Sequence, residues 1–217
     1  TVEIERAGDV IPHVVLVDKS KRYPNSKKYI FPKLCPSCGS KTVKDFNDTT
    51  KKFDAVRRCL NYDFKCEKIA VEGLKHFVSK EALNIDGFGK KIVEKFWKLN
   101  LIRFPQDIFN LDFEKIKKFD GWGSLSSSNL KYAIEKSKRI SLERFIYSLG
   151  IRHIGQENAK LIAQHLKSID NFYKLSKKEN IYNLSNIDGI GETQIKSINI
   201  YFSNKINLNN LKKLMEY

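Results

Sequence analysis

A short turn that ends in glycine recurs four times along this chain of 217 residues, and the repeat constrains the fold more than any other feature. The segments beside each turn have the apolar periodicity of helices, so each unit is predicted to be helix, turn, helix. The turns occupy residues 85–89, 119–123, 151–155 and 187–191. Seven residues beyond each final glycine stands an apolar residue that we expect to be buried: Phe96, Leu130, Ile162 and Ile198.

The glycines of these turns predict a surface on which the backbone binds phosphate groups. Because glycine has no Cβ atom, the N–H groups of such a turn can approach a ligand closely, and a helix N-terminus follows immediately. Helix-hairpin-helix units of this kind hold DNA by its phosphates without identifying bases. The residues predicted to bind DNA are Gly87, Gly89, Lys90, Lys91, Gly121, Gly123, Arg152, Gly155, Gly189, Gly191 and Lys196.

Two of the turns depart from the common pattern. In the third, His153 stands where Gly87 and its equivalents stand elsewhere, which weakens the case for a phosphate contact there. In the second, Trp122 replaces an aliphatic residue, and we expect it to plug the turn into its own helices rather than to stack on a base. The second hairpin also contains Lys118-Phe-Asp-Gly, the lysine motif of nucleotidyl-transferases. Because it is in phase with three turns that have no lysine there, we interpret it as a coincidence.

The charge of the chain indicates a polyanionic partner. Lysine and arginine number 40 against 25 acidic residues, which gives a net charge of +15. Solubility alone needs a charge of only about 2–8, so we expect nucleic acid first and an anionic membrane surface second. No apolar run approaches the ~20 residues of a membrane-spanning helix, and no signal peptide opens the chain, which predicts a cytoplasmic protein. The start at Thr1, inside an alternating pattern, suggests a piece of something longer.

All four cysteines lie in one short span, as the pairs Cys35/Cys38 and Cys59/Cys66. Four soft thiolates in two pairs match a tetrahedral zinc site that is closed to substrate and structural in role. Gly39 fits the tight turn that lets backbone N–H groups approach the sulfurs. The alternatives are two disulfides, which suit a secreted chain, and four inert buried thiols. A redox Cys-x-x-Cys would need no second pair.

These features predict a mainly α chain in three parts. Residues 1–30 form two short strands around Ala7-Gly-Asp9 and, since two strands do not make a stable sheet, belong to a larger β-domain. Residues 31–68 form the zinc finger. Residues 69–217 form a helix-hairpin-helix domain of four units, in which 103–111 and 166–175 are interpreted as connectors.

The sequence shows no set of residues for catalysis. The four histidines are scattered along the chain, and we predict structural roles for His13, His76, His153 and His165. A tetratricopeptide array also repeats after about 34 residues, but its own signature is missing and it does not explain glycines at the turns.

Four stretches together carry a resemblance to a known family: Arg6-Ala-Gly-Asp-Val-Ile-Pro12, the cysteine pairs, residues 76–87 and residues 149–155. In this order they closely resemble the C-terminal half of bacterial NAD-dependent DNA ligases, along essentially the whole chain. The resemblance implies that residues 1–30 are the end of an OB-fold, to which Arg6 and Asp9 belong. It also implies that the four cysteines hold Zn²⁺, that the hairpins grip DNA, and that a BRCT domain follows in the complete protein.

The resemblance further implies an activity for the complete protein in DNA replication and repair. NAD adenylates a lysine, AMP passes to the 5′-phosphate of a nick, and the 3′-hydroxyl attacks with the help of Mg²⁺. Since the lysine and the NAD pocket are expected in other domains, this chain should bind nicked double-stranded DNA without sealing it, as a monomer associated with the nucleoid. The alternatives are a free-standing helix-hairpin-helix module of another repair protein and a helical repeat that binds protein.

Overall fold

The computed structural model describes residues 1–8, 10–47, 50–61 and 64–217. These residues divide into two compact units, Thr1–Lys33 and Leu34–Tyr217. The cysteine-rich segment (residues 34–66) and the helical array (residues 67–217) thus fall in the same unit. Within the described residues the fold is mainly α with a few short strands, as the sequence predicts. No helix in this part of the chain is both long and apolar enough to cross a membrane.

The first unit contains a two-stranded antiparallel hairpin. Strand β1 (Val2–Ala7) pairs with strand β2 (Ile11–Val17), so the two predicted strands are confirmed. Gly8 in the connection has a φ of +62°, the left-handed conformation that glycine adopts without strain. Asp9, predicted to share this turn, lies outside the described residues. Every residue of β2 is exposed, because two strands alone cannot enclose a core.

The cysteine-rich segment is built from two small antiparallel ladders. Strand β3 (Thr42–Val43) pairs with β6 (Arg58–Cys59), and β4 (Phe46–Asn47) pairs with β5 (Lys52–Phe53). The rings of Phe46 and Phe53 meet edge to face with centroids 5.1 Å apart. Strands of this length bury too little apolar surface to be stable by themselves. The segment therefore needs a further source of stability.

The helical array has a helix before and after each predicted turn. In its described residues the array also has two 3₁₀ helices, Pro105–Asn110 and Tyr182–Asn186. In the described residues the α-helices are α1 (Glu67–Phe77), α2 (Lys90–Lys98), α3 (Phe113–Ile116), α4 (Ser124–Ser137), α5 (Leu142–Ser148), α6 (Gln156–Leu166), α7 (Ile169–Lys174), α8 (Lys178–Ile181), α9 (Glu192–Ser203) and α10 (Lys205–Leu214).

Both segments interpreted as connectors contain short helices, which the sequence did not predict. Segment 103–111 includes the first 3₁₀ helix, at whose start the Asp107 carboxylate accepts from the amides of Arg103 and Phe104, each at 2.8 Å. Segment 166–175 includes α7, whose N-cap Ser168 accepts from the amide of the residue three positions on, at 3.2 Å. Such caps stabilise short helices that apolar periodicity does not reveal.

Two apolar cores lie in the helical array, one for each pair of hairpins. The first core contains Phe96 and Leu130, and the second contains Ile162 and Ile198. All four side chains are at most 2% exposed, so the burial predicted from their spacing is confirmed. The seven-residue interval places each of them on the buried face of the helix after its turn.

Helix α10 contributes to both cores. Leu211 lies in the second core and Leu214 in the first. Beside them, Gln106 Nε2 in the first 3₁₀ helix donates to Asn210 Oδ1 at 3.1 Å, in a buried hydrogen bond. The last helix therefore fastens the second pair of hairpins to the first.

Candidate metal centre and candidate nucleic-acid interface

The four cysteines come together although their two pairs are far apart in sequence. Their Sγ atoms all lie within 4.8 Å of one another, with Cys35 and Cys66 at 3.9 Å and Cys38 and Cys59 at 3.4 Å. In a tetrahedral site with Zn–S bonds of about 2.3 Å, the sulfurs stand about 3.8 Å apart. The cysteines are free thiols, which argues against the two-disulfide alternative. This group of four could therefore hold a metal ion.

The backbone between the first two cysteines folds around the sulfurs. Gly39 has a φ of +72°, and its amide donates to the carbonyl of Cys35 at 2.8 Å. The amide of Cys35 in turn donates to the carbonyl of Ser40 at 2.7 Å. Gly39 thus forms the tight turn that the sequence predicts, in a conformation that a side chain would strain.

Hydrogen-bond donors point at the sulfurs. Asn61 approaches two of them, with its amide 3.4 Å from Cys59 Sγ and its side-chain nitrogen 3.6 Å from Cys38 Sγ. Hydrogen bonds with the hydroxyl and amide of Ser40 lower the pKa of Cys38 to about 6, whereas burial raises the pKa of Cys59 to about 12. Cys38 therefore ionises readily at neutral pH, while Cys59 needs a positive charge beside it to become a thiolate.

The four hairpin turns share one backbone geometry. In each, the amide of the fourth residue donates to the carbonyl of the first over 2.9 to 3.1 Å. The third residue has a left-handed φ: +78° at Gly87 and Gly121, +87° at Gly189 and +62° at His153. A positive φ at the third position is what a type II turn requires. His153 therefore preserves the turn of the third unit in spite of its side chain.

Each turn ends at the N-cap of the helix that follows it. The N-caps of α2, α4, α6 and α9 have extended backbone and are Gly89, Gly123, Gly155 and Gly191. The first amides of an α-helix have no partner within the helix, and the helix dipole adds partial positive charge there. At the fourth turn, the Gln194 side chain already accepts from the Gly191 amide at 3.2 Å. These N-termini can accommodate anionic groups.

Positive side chains are distributed unevenly over the four turns. Lys90 and Lys91 are exposed in the first turn of α2, directly after the first hairpin. Helices α6 and α9 instead carry a glutamate in their first turns, Glu157 and Glu192. The predicted Lys196 is exposed further along α9. Because a glutamate near a helix N-terminus repels a second anion, the charges favour a phosphate most at the first hairpin.

The hairpins pack in pairs. Lys95 of α2 donates to the carbonyl of Asp120 in the second turn at 2.9 Å. In the other pair, Leu161 of α6 approaches the fourth turn so closely that a Cβ atom on Gly189 would lie 3.0 Å from its Cδ1. The structure thus brings the first two turns together and the last two together.

The positions of three residues singled out in the sequence agree with the structural roles predicted for them. The half-buried ring of Trp122 packs against the first core, as expected for a core residue, and lies 5.6 Å from the ring of Phe96 in the helix of the first hairpin. His76 Nε2 forms a hydrogen bond with the carbonyl of Tyr147 at 2.8 Å, which links α1 to α5 as a structural histidine does. Lys118 is exposed within the second hairpin of the helical array, which supports the coincidence interpretation of its motif.

The surroundings of Arg152 differ from those expected for a DNA contact. Its guanidinium forms ion pairs with Asp45 and Asp54 of the cysteine-rich segment. Burial, together with the nearby charge of Arg152, lowers the pKa of the adjacent His153, which disfavours a positive charge on its imidazole. Neither aspartate was predicted as a site residue from the sequence. The sequence does show that Arg152 is unusual, because the second residue of the other three turns is an aspartate: Asp86, Asp120 and Asp188.

The fold and the cysteine cluster together define a helix-hairpin-helix protein with a four-thiol centre. The helix-hairpin-helix motif family matches residues 144–211. The chain is 68% identical, over 99% of its length, to a DNA ligase of Pelagibacter ubique, and 43% identical, over 100% of its length, to a DNA ligase of Wolbachia pipientis subsp. Culex pipiens. A DNA ligase of Sulfurihydrogenibium azorense is 42% identical over the whole chain.

By sequence, therefore, this chain belongs with the DNA ligases, as a segment of that family's sequence. It spans 32% of the Pelagibacter and Wolbachia proteins and 29% of the Sulfurihydrogenibium protein, about a third of the length of the curated relatives it matches. The resemblance to DNA ligases that its motifs predict is confirmed.

Proposed function

We propose that this chain is the DNA-gripping part of an NAD-dependent DNA ligase, which joins a 5′-phosphate to a 3′-hydroxyl at nicks in duplex DNA. In this proposal residues 1–30 end an OB-fold, residues 31–68 form a zinc finger and residues 69–217 form the DNA-binding domain. The relatives named DNA ligase support the enzyme class. The chain by itself is expected to bind DNA as a monomer without sealing it.

The observation that carries the DNA-binding proposal is the fourfold recurrence of one turn geometry at helix N-termini. Each unit offers backbone N–H groups and the positive end of a helix dipole, which bind phosphate whatever the base. The net charge of +15 supplies the long-range attraction that such a surface needs. The exposed lysines after the first turn make that hairpin the strongest candidate contact.

We infer that Cys35, Cys38, Cys59 and Cys66 hold one structural Zn²⁺. The soft sulfur donors, their mutual distances and their number match a closed tetrahedral site, which leaves no position for a substrate. The role of the metal is then to stabilise the cysteine-rich segment, whose ladders are too short to do so.

The chain should bind a nicked duplex with an affinity that falls steeply with salt and does not depend on sequence. If roughly three or four phosphates are neutralised, the affinity should drop roughly 40- to 150-fold between about 50 and 200 mM salt. Fluorescence anisotropy on two nicked duplexes of unrelated sequence measures this. Flat salt dependence, or strong preference for one duplex, would contradict binding through the phosphate backbone.

A complete enzyme that contains this chain should seal nicks with NAD as its adenylate donor. In such a ligase NAD supplies the AMP and Mg²⁺ assists the attack of the 3′-hydroxyl; we assign neither to a residue of this chain. Gel analysis of a labelled nicked duplex, with NAD or ATP in parallel reactions, measures the requirement. Sealing with ATP but not with NAD would refute the NAD-dependent class and leave the DNA-binding proposal intact.

A further inference from the structure

The third hairpin differs from the other three in the charge at its tip, not in its shape. Its turn has the same hydrogen bond and the same left-handed third residue as the others. Its second residue, however, is Arg152, where the other turns have an aspartate. The second residue is thus positive in the third turn and negative in the other three. This difference suggests that the third turn has a partner that the others do not have.

Arg152 contacts the open end of the β4–β5 hairpin, where β4 begins and β5 ends. Asp45 directly precedes β4 and Asp54 directly follows β5. The amide of Asp54 donates to the carbonyl of Asp45 at 2.7 Å, which extends this ladder by one pair and holds both carboxylates at the same end. Arg152 spans the two, with Nη1 on Asp45 and Nη2 3.5 Å from Asp54 Oδ2.

The charges around Arg152 balance within this cluster. Arg58 places its Nη2 3.5 Å from the same Asp54 oxygen, so two arginines face two aspartates. The guanidinium of Arg152 has a planar set of donors suited to carboxylates. A phosphate that approached Arg152 would meet the two carboxylates as well, and their repulsion opposes binding.

We propose that Arg152 is a positioning residue, which fastens the β4–β5 hairpin of the cysteine-rich segment to the third hairpin of the helical array. The third hairpin therefore carries this segment and does not grip DNA, which leaves DNA contact to the other three. The first half of this inference stands on the ion pairs alone, whereas the second half rests on the proposed DNA-binding function. We call the ion pairs of Arg152 with Asp45 and Asp54 the clamp. The clamp fixes the position of the cysteine-rich segment, which its short strands cannot do.

Hydrogen exchange on the full chain tests the clamp. Arg152→Ala and the double variant Asp45→Asn/Asp54→Asn should each raise amide exchange in residues 42–59 about fivefold, the factor expected when a partly exposed charge network is lost. Exchange in α6 should not change, because its contacts are untouched. Lys160→Ala, which removes an exposed cation from α6 itself, is the matched control and should leave both regions unchanged. Unchanged exchange in residues 42–59 would overturn the proposal.

Salt titrations of nicked-duplex binding test the second half of the inference, that the third hairpin does not grip DNA. Arg152→Ala should leave the slope of log affinity against log salt unchanged, while Lys91→Ala should reduce its magnitude by about 0.9, the value for one phosphate contact. A reduced slope for Arg152→Ala would show that the third hairpin grips DNA. If Lys91→Ala had no effect either, the proposed grip at the first hairpin would fail, and the exchange result would still decide the clamp.

A variant with the two charges exchanged distinguishes a positioning role of Arg152 from a general effect on stability. Arg152→Asp combined with Asp45→Arg restores an attraction of opposite polarity, so it should recover most of the exchange protection that Arg152→Asp alone loses. A variant that had merely unfolded the third unit could not be rescued in this way. Absence of rescue, together with faster exchange in α6, would contradict the positioning role.

Discussion

A chain with serine at position 59 in place of cysteine should bind no zinc, and residues 34–59 should lose their protection from hydrogen exchange. Cys59 contributes one of four sulfurs, and in zinc-finger peptides the metal supplies about 10–16 kcal/mol of apparent folding free energy at pH 7. The two-residue ladders around it have no comparable source of stability. Native mass spectrometry should show one zinc in the natural chain and none in the variant.

The matched control is Ser37→Ala, which changes an exposed residue between the first two cysteines and leaves all four sulfurs in place. It should keep the zinc and the protection. The helical array should stay protected in both variants, because its two cores do not include the strands of the cysteine-rich segment. A natural chain that is metal-free and disulfide-bonded, or a Cys59→Ser chain that retains its metal, would contradict the metal centre.

The second large effect is expected from Gly87→Val, which should lower the affinity for a nicked duplex about tenfold or more. Open space surrounds the position of a Cβ on Gly87, so the cost comes from its φ of +78° rather than from a clash. A left-handed residue with a side chain costs ~1–2 kcal/mol, and β-branching makes it worse. Valine relieves that strain by moving the turn amides, and each 1.4 kcal/mol of lost binding is about tenfold in affinity. Anisotropy on a nicked duplex measures it.

Gly73→Val provides the control for the hairpin variant. Gly73 also has open space around it, but it lies inside α1 without the left-handed conformation. It should leave DNA affinity unchanged. Zinc content should be unchanged in both variants, and parallel losses of zinc and affinity would indicate general unfolding instead. Gly189→Val should reduce stability more than Gly87→Val does, because its new Cβ would also crowd Leu161.

Features set by local geometry could be predicted from the sequence. A positive φ at the third position of a turn favours glycine, and the residue seven positions beyond each turn falls on the buried face of the next helix. The short spacing of Cys35 and Cys38 likewise indicates a candidate metal site, because two ligands so close in sequence can bind one ion. His153 departs from the preference for glycine in residue type, yet the turn keeps its left-handed φ at that position.

Contacts between residues distant in sequence could not be predicted in this way. Arg152 meets Asp45 and Asp54 across about a hundred positions, and no periodicity connects them. The bond between Gln106 and Asn210 is equally remote. Local patterns report which face of an element is apolar, but not which other element covers it. The charge of Arg152 alone therefore suggested DNA, when its nearest anions belong to the same chain.

The contribution of Leu214 to the first core has a consequence for synthesis on the ribosome. Among the buried residues of that core, the one preceding Leu214 is Ile134, about 80 residues earlier. At roughly 5–20 residues per second, translation needs about 4–16 s to cover this interval. The first pair of hairpins therefore emerges with a gap in its interior and remains open to unproductive association until α10 arrives. Because Leu211 of the same helix belongs to the second core, neither pair of hairpins completes its interior before α10 is made.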